Sequence, residues 1–244
     1  MKKFAVFDID GTVFRWQLFH EIVDGLFEAG HIPASARKNI EIELANWHNR
    51  SHKTAFRTFE LAVVNAFFPA LKGLEKSALE AIADKVVERS AHRVYAYTRH
   101  LLKKLKADDY TLIAISGSHD EVVKKFGARW DFDIAVGQTH EDENGIYTGN
   151  LGSDRLLIEQ KDVILQRIVA EHNLDWKDSI AVGDSLSDAK MLAIVAHPIA
   201  FNPNEELFEE AKKHGWKVVV ERKNMIFELE QRDGVYVLAE AGSR

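Results

Sequence analysis

Asp8 and Asp10 stand two residues apart in Asp8-Ile-Asp10-Gly11-Thr12, directly after the apolar run Phe4-Ala-Val-Phe7. Two carboxylates where a buried strand ends, with a glycine that lets the backbone turn, are what a metal-assisted phosphoryl-transfer crevice requires. In open α/β sheets that crevice lies beyond the carboxyl ends of the strands. Asp-x-Asp-Gly by itself is also a common turn sequence. A calcium loop is a poor rival, because it needs Gly at its sixth position and Glu at its twelfth, whereas here Gly11 is the fourth residue and Phe19 the twelfth.

Three later features carry chemistry-bearing residues at the ends of predicted elements. Tyr110-Thr-Leu-Ile-Ala-Ile115 is a β-branched apolar run that stops at Ser116-Gly117-Ser118, ahead of the helical stretch Asp120 to Phe126. A hydroxyl and free N–H groups at a helix N-terminus form a site for a phosphate oxygen. Asp178-Ser-Ile-Ala-Val182 is a second buried-strand pattern, and it runs into Gly183-Asp184-Ser-Leu-Ser-Asp188 before an apolar helix start at Met191-Leu192. Lys161 heads the amphipathic stretch Val163 to Val169, which leads into that strand. Taken singly, Lys161 reads as a solvated helix lysine and Ser116 as a cap. Their joint order on successive strand ends is not accidental.

With these motifs the chain resembles the haloacid dehalogenase superfamily, in its phosphoserine-phosphatase-like branch (subfamily IB), over residues 1 to about 202. The resemblance implies an α/β fold: a Rossmann-like parallel sheet core, residues 1–15 and 91–244, with an inserted all-helical C1 cap at residues 16–90. It implies a hydrolase, a magnesium-dependent phosphatase acting on a small phosphorylated metabolite. By the same resemblance Asp8 is the nucleophile that forms an aspartyl-phosphate. Magnesium is held by the Asp8 carboxylate, the Asp10 main-chain oxygen and the Asp184 carboxylate, with Asp188 in direct or indirect support. Asp10 protonates the leaving alcohol and then deprotonates the hydrolytic water, Ser116 and the Gly117 amide hold a phosphoryl oxygen, and Lys161 neutralises the crowded anions.

These residue types suit the chemistry. A phosphomonoester dianion repels an anionic nucleophile, and the transition state spreads charge over three equatorial oxygens. Magnesium prefers oxygen ligands in an octahedron and cancels that repulsion. An ordinary Asp titrates near 3.9, at about that value, so the acid–base role of Asp10 needs a raised pKa from a folded site. Asp10 also distinguishes phosphatases from dehalogenases, which have no alkoxide to protonate. The chain departs from phosphoserine phosphatases at three places. Gln17 stands where those enzymes have a Glu for the substrate amine. Only Arg57 is available in the stretch that should supply their carboxylate-binding arginine, and Ser187 replaces an Asn in the fourth motif. Phosphoserine is therefore expected to be a poor substrate, although phosphoserine phosphatase proper is an alternative, as is a non-catalytic protein that only binds a phosphorylated ligand. A receiver domain shares clustered Asp, Ser and Lys, but would be about half as long and lacks an acid motif after its Lys.

Composition narrows the field further. With 244 residues, 46% of them hydrophobic, the chain can bury a full α/β core and a smaller cap. A formal charge of -6 with mixed signs gives no basic stripe for nucleic acid. The absence of cysteine excludes disulfides, thiolate metal sites and cysteine nucleophiles. Met1-Lys-Lys3 resembles a signal-peptide start, but the apolar run ends at Asp8. No segment approaches the roughly 20 apolar residues of a membrane span, so a cytoplasmic protein is expected and the Asn49-Arg50-Ser51 sequon is taken as coincidental.

The elements that must position the site follow from periodicity. Gln17 to Ser90 carries only helical spacing: Leu18, Ile22 and Leu26 with Gly30 as a stop, then Ile40 to Trp47, then Phe56, Phe59, Val63 and Phe67. His48 and His52 have the spacing of one helical turn, but no third metal ligand accompanies them, which favours a solvated cap face. A helix is expected from Tyr97 to Lys106, strands at Phe132–Val136 and Pro198–Phe201, and a hairpin through Asp142 to Gly149. Past the family match, Val218–Val220, Ile226–Leu229 and Val235–Leu238 read as an extra strand and a C-terminal β-hairpin turning at Asp233-Gly234.

Overall fold

The computed structural model describes residues 1–152 and 160–243. β1 (Lys2–Phe7) enters the middle of a sheet whose described strands run in the order β10-β9-β8-β7-β6-β1-β2-β3. The other strands are β2 (Thr111–His119), β3 (Ile134–Gln138), β6 (Leu174–Gly183), β7 (His197–Phe201), β8 (Lys217–Arg222), β9 (Met225–Arg232) and β10 (Val235–Gly242). Every pairing from β8 across to β3 is parallel, whereas β8, β9 and β10 form an antiparallel meander.

The central strands read as continuous apolar runs because both faces of the sheet are covered. Phe4 and Val6 of β1 face one buried cluster together with Ile113 and Ile115, while Ala5 and Phe7 face the other with Leu112 and Ala114. Alternate residues of a strand point to opposite faces, so a run with no polar member is a strand with two dry sides.

Four helices intervene between β1 and the next core helix: α1 (Leu18–Glu28), α2 (Ala34–His48), α3 (Ala55–Leu71) and α4 (Lys76–Ser90), followed by α5 (Ala96–Ala107). Leu18, Ile22 and Leu26 of α1 are buried at four-residue intervals, as their spacing predicts. Phe59, Val63 and Phe67 of α3 join the same apolar cluster as Phe7 of β1 and Phe126 of α6 (Asp120–Arg129), so α1–α4 sit on one face of the sheet without a separate core. α2 stops at His48, which places His52 outside it; the two histidines do not share a helix face.

A two-stranded hairpin, β4 (His140–Glu143) and β5 (Ile146–Leu151), locks the α3–α4 connection to the core. The Gly73 N–H donates to the Tyr147 carbonyl at 2.8 Å and the Lys76 N–H to the Gly145 carbonyl at 2.8 Å. The Tyr147 hydroxyl donates to Glu121 at 2.7 Å, and the rings of His119 and His140 stack at 4.5 Å beside Phe67.

The sequence pattern anticipated the C-terminal strands but not α9 (Glu205–His214), which crosses from β7 to β8. Its fully buried face is only Leu207 and Ala211; its ends are set by Asn204, which accepts the Leu207 N–H at 2.9 Å, and by Gly215 at φ 68°. No helix among the described residues is long and apolar enough to cross a membrane.

Candidate active site

The Asp8 N–H still pairs with the Val182 carbonyl at 2.9 Å, so Asp8 is the last residue held by the sheet before the chain turns. The turn closes on itself: the N–H groups of Thr12, Val13 and Phe14 all donate to the Ile9 carbonyl. Gly11 makes this possible. Its φ is +84°, and a Cβ added there would lie 2.2 Å from Asp184 Oδ2. Gly11→Ala is expected to lose at least about 2 kcal/mol of stability from strain and clash, together with most activity; a thermal melt and a rate assay on the purified variant check both.

β6 and α7 (Lys161–Glu171) bring the later motifs onto Asp8. The buried Lys161 ammonium donates to Asp8 Oδ1 at 2.7 Å and to Asp188 Oδ1 at 2.6 Å. The other oxygen of Asp188 accepts the N–H groups of Asp184 at 3.0 Å and Ser185 at 3.1 Å, so the Asp188 carboxylate shapes the loop that presents Asp184. Gly183 leaves room for it, since a Cβ there would lie 2.5 Å from the Asp188 Cβ. Thr12 Oγ1 donates weakly to Asp184 Oδ1 at 3.5 Å.

Asp8, Asp184 and Asp188 each offer a carboxylate oxygen within 4.8 Å of the others. Asp8 Oδ2 is buried and has no hydrogen-bond partner. An orphaned anionic oxygen facing hard oxygen donors fits a divalent cation of the magnesium type. The electrostatics agree. Burial raises the Asp8 carboxyl to about 7, with Lys161 opposing the shift and Asp188 adding to it. Burial and the charges of Asp8 and Asp188 hold Asp184 well above the usual carboxylate range. Burial opposes the charge on Lys161, but Asp188 and Asp8 outweigh it and hold the ammonium firmly protonated. One lysine does not balance these acids, and the missing positive charge is what a bound cation supplies.

Asp10 is set apart from that group. Its Oδ1 accepts the Leu18 N–H at 2.5 Å, and its Oδ2 accepts the hydroxyls of Ser116 at 2.6 Å and Ser118 at 2.7 Å. Burial raises its pKa, with the Ser116, Leu18 and Ser118 hydrogen bonds opposing. Asp8, Lys161, Asp184 and Asp188 therefore meet, and Ser116 meets Asp10, but two details differ. Ser116 points at Asp10, and β2 carries its strand conformation through Gly117 to His119 instead of stopping at Ser116. Ser118 was passed over as a turn residue. The signal was its place two residues beyond Ser116, since the period of a strand puts both hydroxyls on one side. Burial raises the pKa of the half-buried Glu60 of α3, with Gln17 opposing, while Arg57 is exposed.

Known proteins resemble this chain in sequence and in fold. A family model described as haloacid dehalogenase-like hydrolase matches residues 5–193. A histidinol-phosphatase of Neisseria meningitidis is 26% identical over 231 residues, covering 90% of this chain and 99% of that protein. A phosphoserine phosphatase of Archaeoglobus fulgidus is 24% identical over 86% of this chain, which spans about half, 55%, of that relative's length. Among solved structures, a Bordetella pertussis protein of unknown function superposes with a TM-score of 0.70 at 22% identity, covering 89% of this chain and 98% of that one. A phospho-aspartyl intermediate analogue of phosphoserine phosphatase gives a TM-score of 0.60 at 21% identity, with 91% and 94% covered.

Proposed function

This chain belongs to the haloacid dehalogenase-like hydrolases, and from that premise we propose that it is a magnesium-dependent phosphatase that hydrolyses a small phosphomonoester through an aspartyl-phosphate on Asp8. The observation that carries this reading is the buried, partnerless Asp8 Oδ2, beside Asp184 and with Lys161 on the other oxygen of the same carboxylate. One oxygen of Asp8 is restrained and the other is free to act.

The Asp8 carboxylate, the Asp184 carboxylate and the Asp10 main-chain oxygen would hold Mg2+, with Asp188 in support. The bound ion supplies neutralisation of the phosphoryl charge and of the carboxylates around it. Asp8 attacks phosphorus, the bond to the leaving oxygen breaks, and the Asp10 proton passes to that oxygen. The now ionised Asp10, steadied by Ser116, Ser118 and the Leu18 amide, takes a proton from water as that water attacks the acyl phosphate. Lys161 keeps the Asp8 carboxylate oriented and offsets charge on one wall. The Gly117 amide and Ser116 are assigned to a phosphoryl oxygen, which requires Ser116 to share its hydroxyl between that oxygen and Asp10. The helices of residues 16–90 close over the leaving group as a cap and exclude bulk water.

The two named relatives act on phosphoserine and on histidinol phosphate, by their names, and both belong in a test panel. Release of inorganic phosphate from a broad set of phosphomonoesters, assayed with Mg2+ and with chelator, tests the reading; a protein that hydrolyses none of them would refute it. Phosphoserine is expected to fall below the best substrate in kcat/KM, because Gln17 replaces a carboxylate beside the catalytic loop and Arg57 forms no ion pair among the described residues.

A further inference from the structure

The end of β2 carries two buried hydroxyls where holding a phosphoryl oxygen calls for one. Between its pairings of Ile115 with Val136 and of His119 with Gln138, β2 advances four residues while β3 advances two, so Ser116-Gly117-Ser118 bulges out of the ladder. Bulges beside active sites re-aim side chains. This one turns both hydroxyls onto a single atom: Ser116 Oγ donates to Asp10 Oδ2 at 2.6 Å and Ser118 Oγ donates to it at 2.7 Å. The bulge is fixed from within and from the side. The Ser118 N–H donates to Ser116 Oγ at 2.9 Å, and Gly137 of β3 leaves room for the Ser118 carbonyl, since a Cβ there would lie 2.8 Å from it.

A serine hydroxyl has one proton to donate. Ser116 has placed its proton on Asp10, so gripping a phosphoryl oxygen requires that hydroxyl to turn away from the carboxyl. With Ser116 as its only hydroxyl partner, Asp10 would be loosened at the moment when it must meet the leaving oxygen. The Leu18 N–H reaches only Oδ1. Ser118 closes that gap, because its hydroxyl already sits on Oδ2. A carboxyl tied at both oxygens keeps its plane and its reach when one of three donors departs, and catalysis depends on that placement.

Resting on the phosphatase reading, we propose that Ser118 is a positioning residue, which holds the Asp10 carboxyl in place while Ser116 transfers its hydroxyl from Asp10 to the incoming phosphoryl group. Departure of Ser116 opens one acceptor position on Oδ2, so arrival of the phosphoryl group frees Asp10 for its partner without letting it swing.

The test compares 4-nitrophenyl phosphate with 4-nitrobenzyl phosphate, which differ by a methylene. The phenoxide leaves without a proton from Asp10, whereas the alkoxide requires one. Ser118→Ala should lower kcat/KM for the benzyl ester by about tenfold more than for the phenyl ester. Ser118→Thr, which keeps the hydroxyl, should recover most of that difference. A merely structural Ser118 would lower both esters in parallel, which overturns the proposal. A second measurement needs neither a variant nor turnover. In crystals grown with Mg2+ and beryllofluoride, a mimic of a phosphoryl group on a carboxylate, the Ser116 hydroxyl should point to a fluoride and the Ser118 hydroxyl should remain on Asp10. Both hydroxyls still on Asp10, or Ser118 turned away from it, overturns the proposal. That exchange, seen in a protein that hydrolyses no ester of the broad panel, sustains the role of Ser118 toward Asp10 and sinks the phosphatase reading. Hydrolysis of both esters with parallel losses does the reverse, and failure of both hydrolysis and beryllofluoride binding overturns both.

Discussion

Asp8→Asn is expected to lower kcat by about 10⁴-fold or more, the loss typical of removing a catalytic nucleophile. A carboxamide oxygen is a poor nucleophile, and neither Asp188, saturated by Lys161 and two loop amides, nor Asp10, held by three donors, is free to replace it. The variant should fold. Lys161 keeps its hydrogen bond to Asp188, and the amide occupies the same volume. It should even melt higher than the wild type when both are free of metal. Burial has pushed the Asp8 carboxyl up to about 7, so ionising it near neutral pH opposes folding, and the amide removes that opposition. The gain is on the order of 1 kcal/mol. Two measurements decide the matter: steady-state rates with a melting curve, and mass spectrometry of protein quenched during turnover. A fully active Asp8→Asn enzyme, or phosphate trapped on a residue other than Asp8 in the wild type, overturns the assignment.

Removing magnesium is expected to lower the rate by about a thousandfold or more, since a metal ion supplies several kcal/mol of charge stabilisation at a transferring phosphoryl group. Calcium, which accepts more ligands and bidentate carboxylates, should inhibit and not substitute. The same ion should govern stability, and the direction follows from the acids. A buried carboxyl whose folded pKa lies above its unfolded one favours the folded state only while protonated. Its contribution is lost as pH rises from about 4 through the folded value, about 7 for Asp8 and well above the usual range for Asp184. Metal-free protein is therefore penalised increasingly over that window, and bound Mg2+ takes over the protons' role. Other groups act in the opposite sense. The buried ring of His20 and the half-buried ring of His140, pushed down by desolvation to about 4 and about 3, are neutral in the folded state and lose stability as pH falls below about 6.5. The difference in Tm with and without Mg2+ isolates the acid site from these. It should widen steadily between about pH 4 and pH 7. A difference that is flat with pH, or full activity after exhaustive chelation, contradicts the proposed metal site.

Much of this molecule is written in short-range pattern. Phe4–Phe7, Leu112–Ile115 and Ile180–Val182 carry no polar member because each strand is covered on both faces, and a run of that kind is visible without knowing its neighbours. Asp8 and Asp184 follow such runs, so their place at one end of a parallel sheet was legible from spacing alone. Lys161 was legible as a helix start, and its conversion from a solvated lysine into a buried partner of Asp8 and Asp188 was implied only by the company of the other motifs. α9 was not legible, because a helix that buries two residues leaves too narrow an apolar stripe to read.

What tertiary structure alone decided is which side chains meet across long stretches of chain. Ser118 reaches Asp10 because β2 stays extended past Ser116, and local sequence marked that stretch as a turn. Tyr147 meets Glu121, and the His119 and His140 rings stack, only once the hairpin folds back over α3 and α6. Trp47 of α2 stacks on Trp16, in the loop beyond Asp10, and no periodicity in either segment specifies that encounter. Periodicity encodes how much of each element is buried. The angle and register at which buried faces pack determine which polar groups find one another, and those depend on the whole core at once.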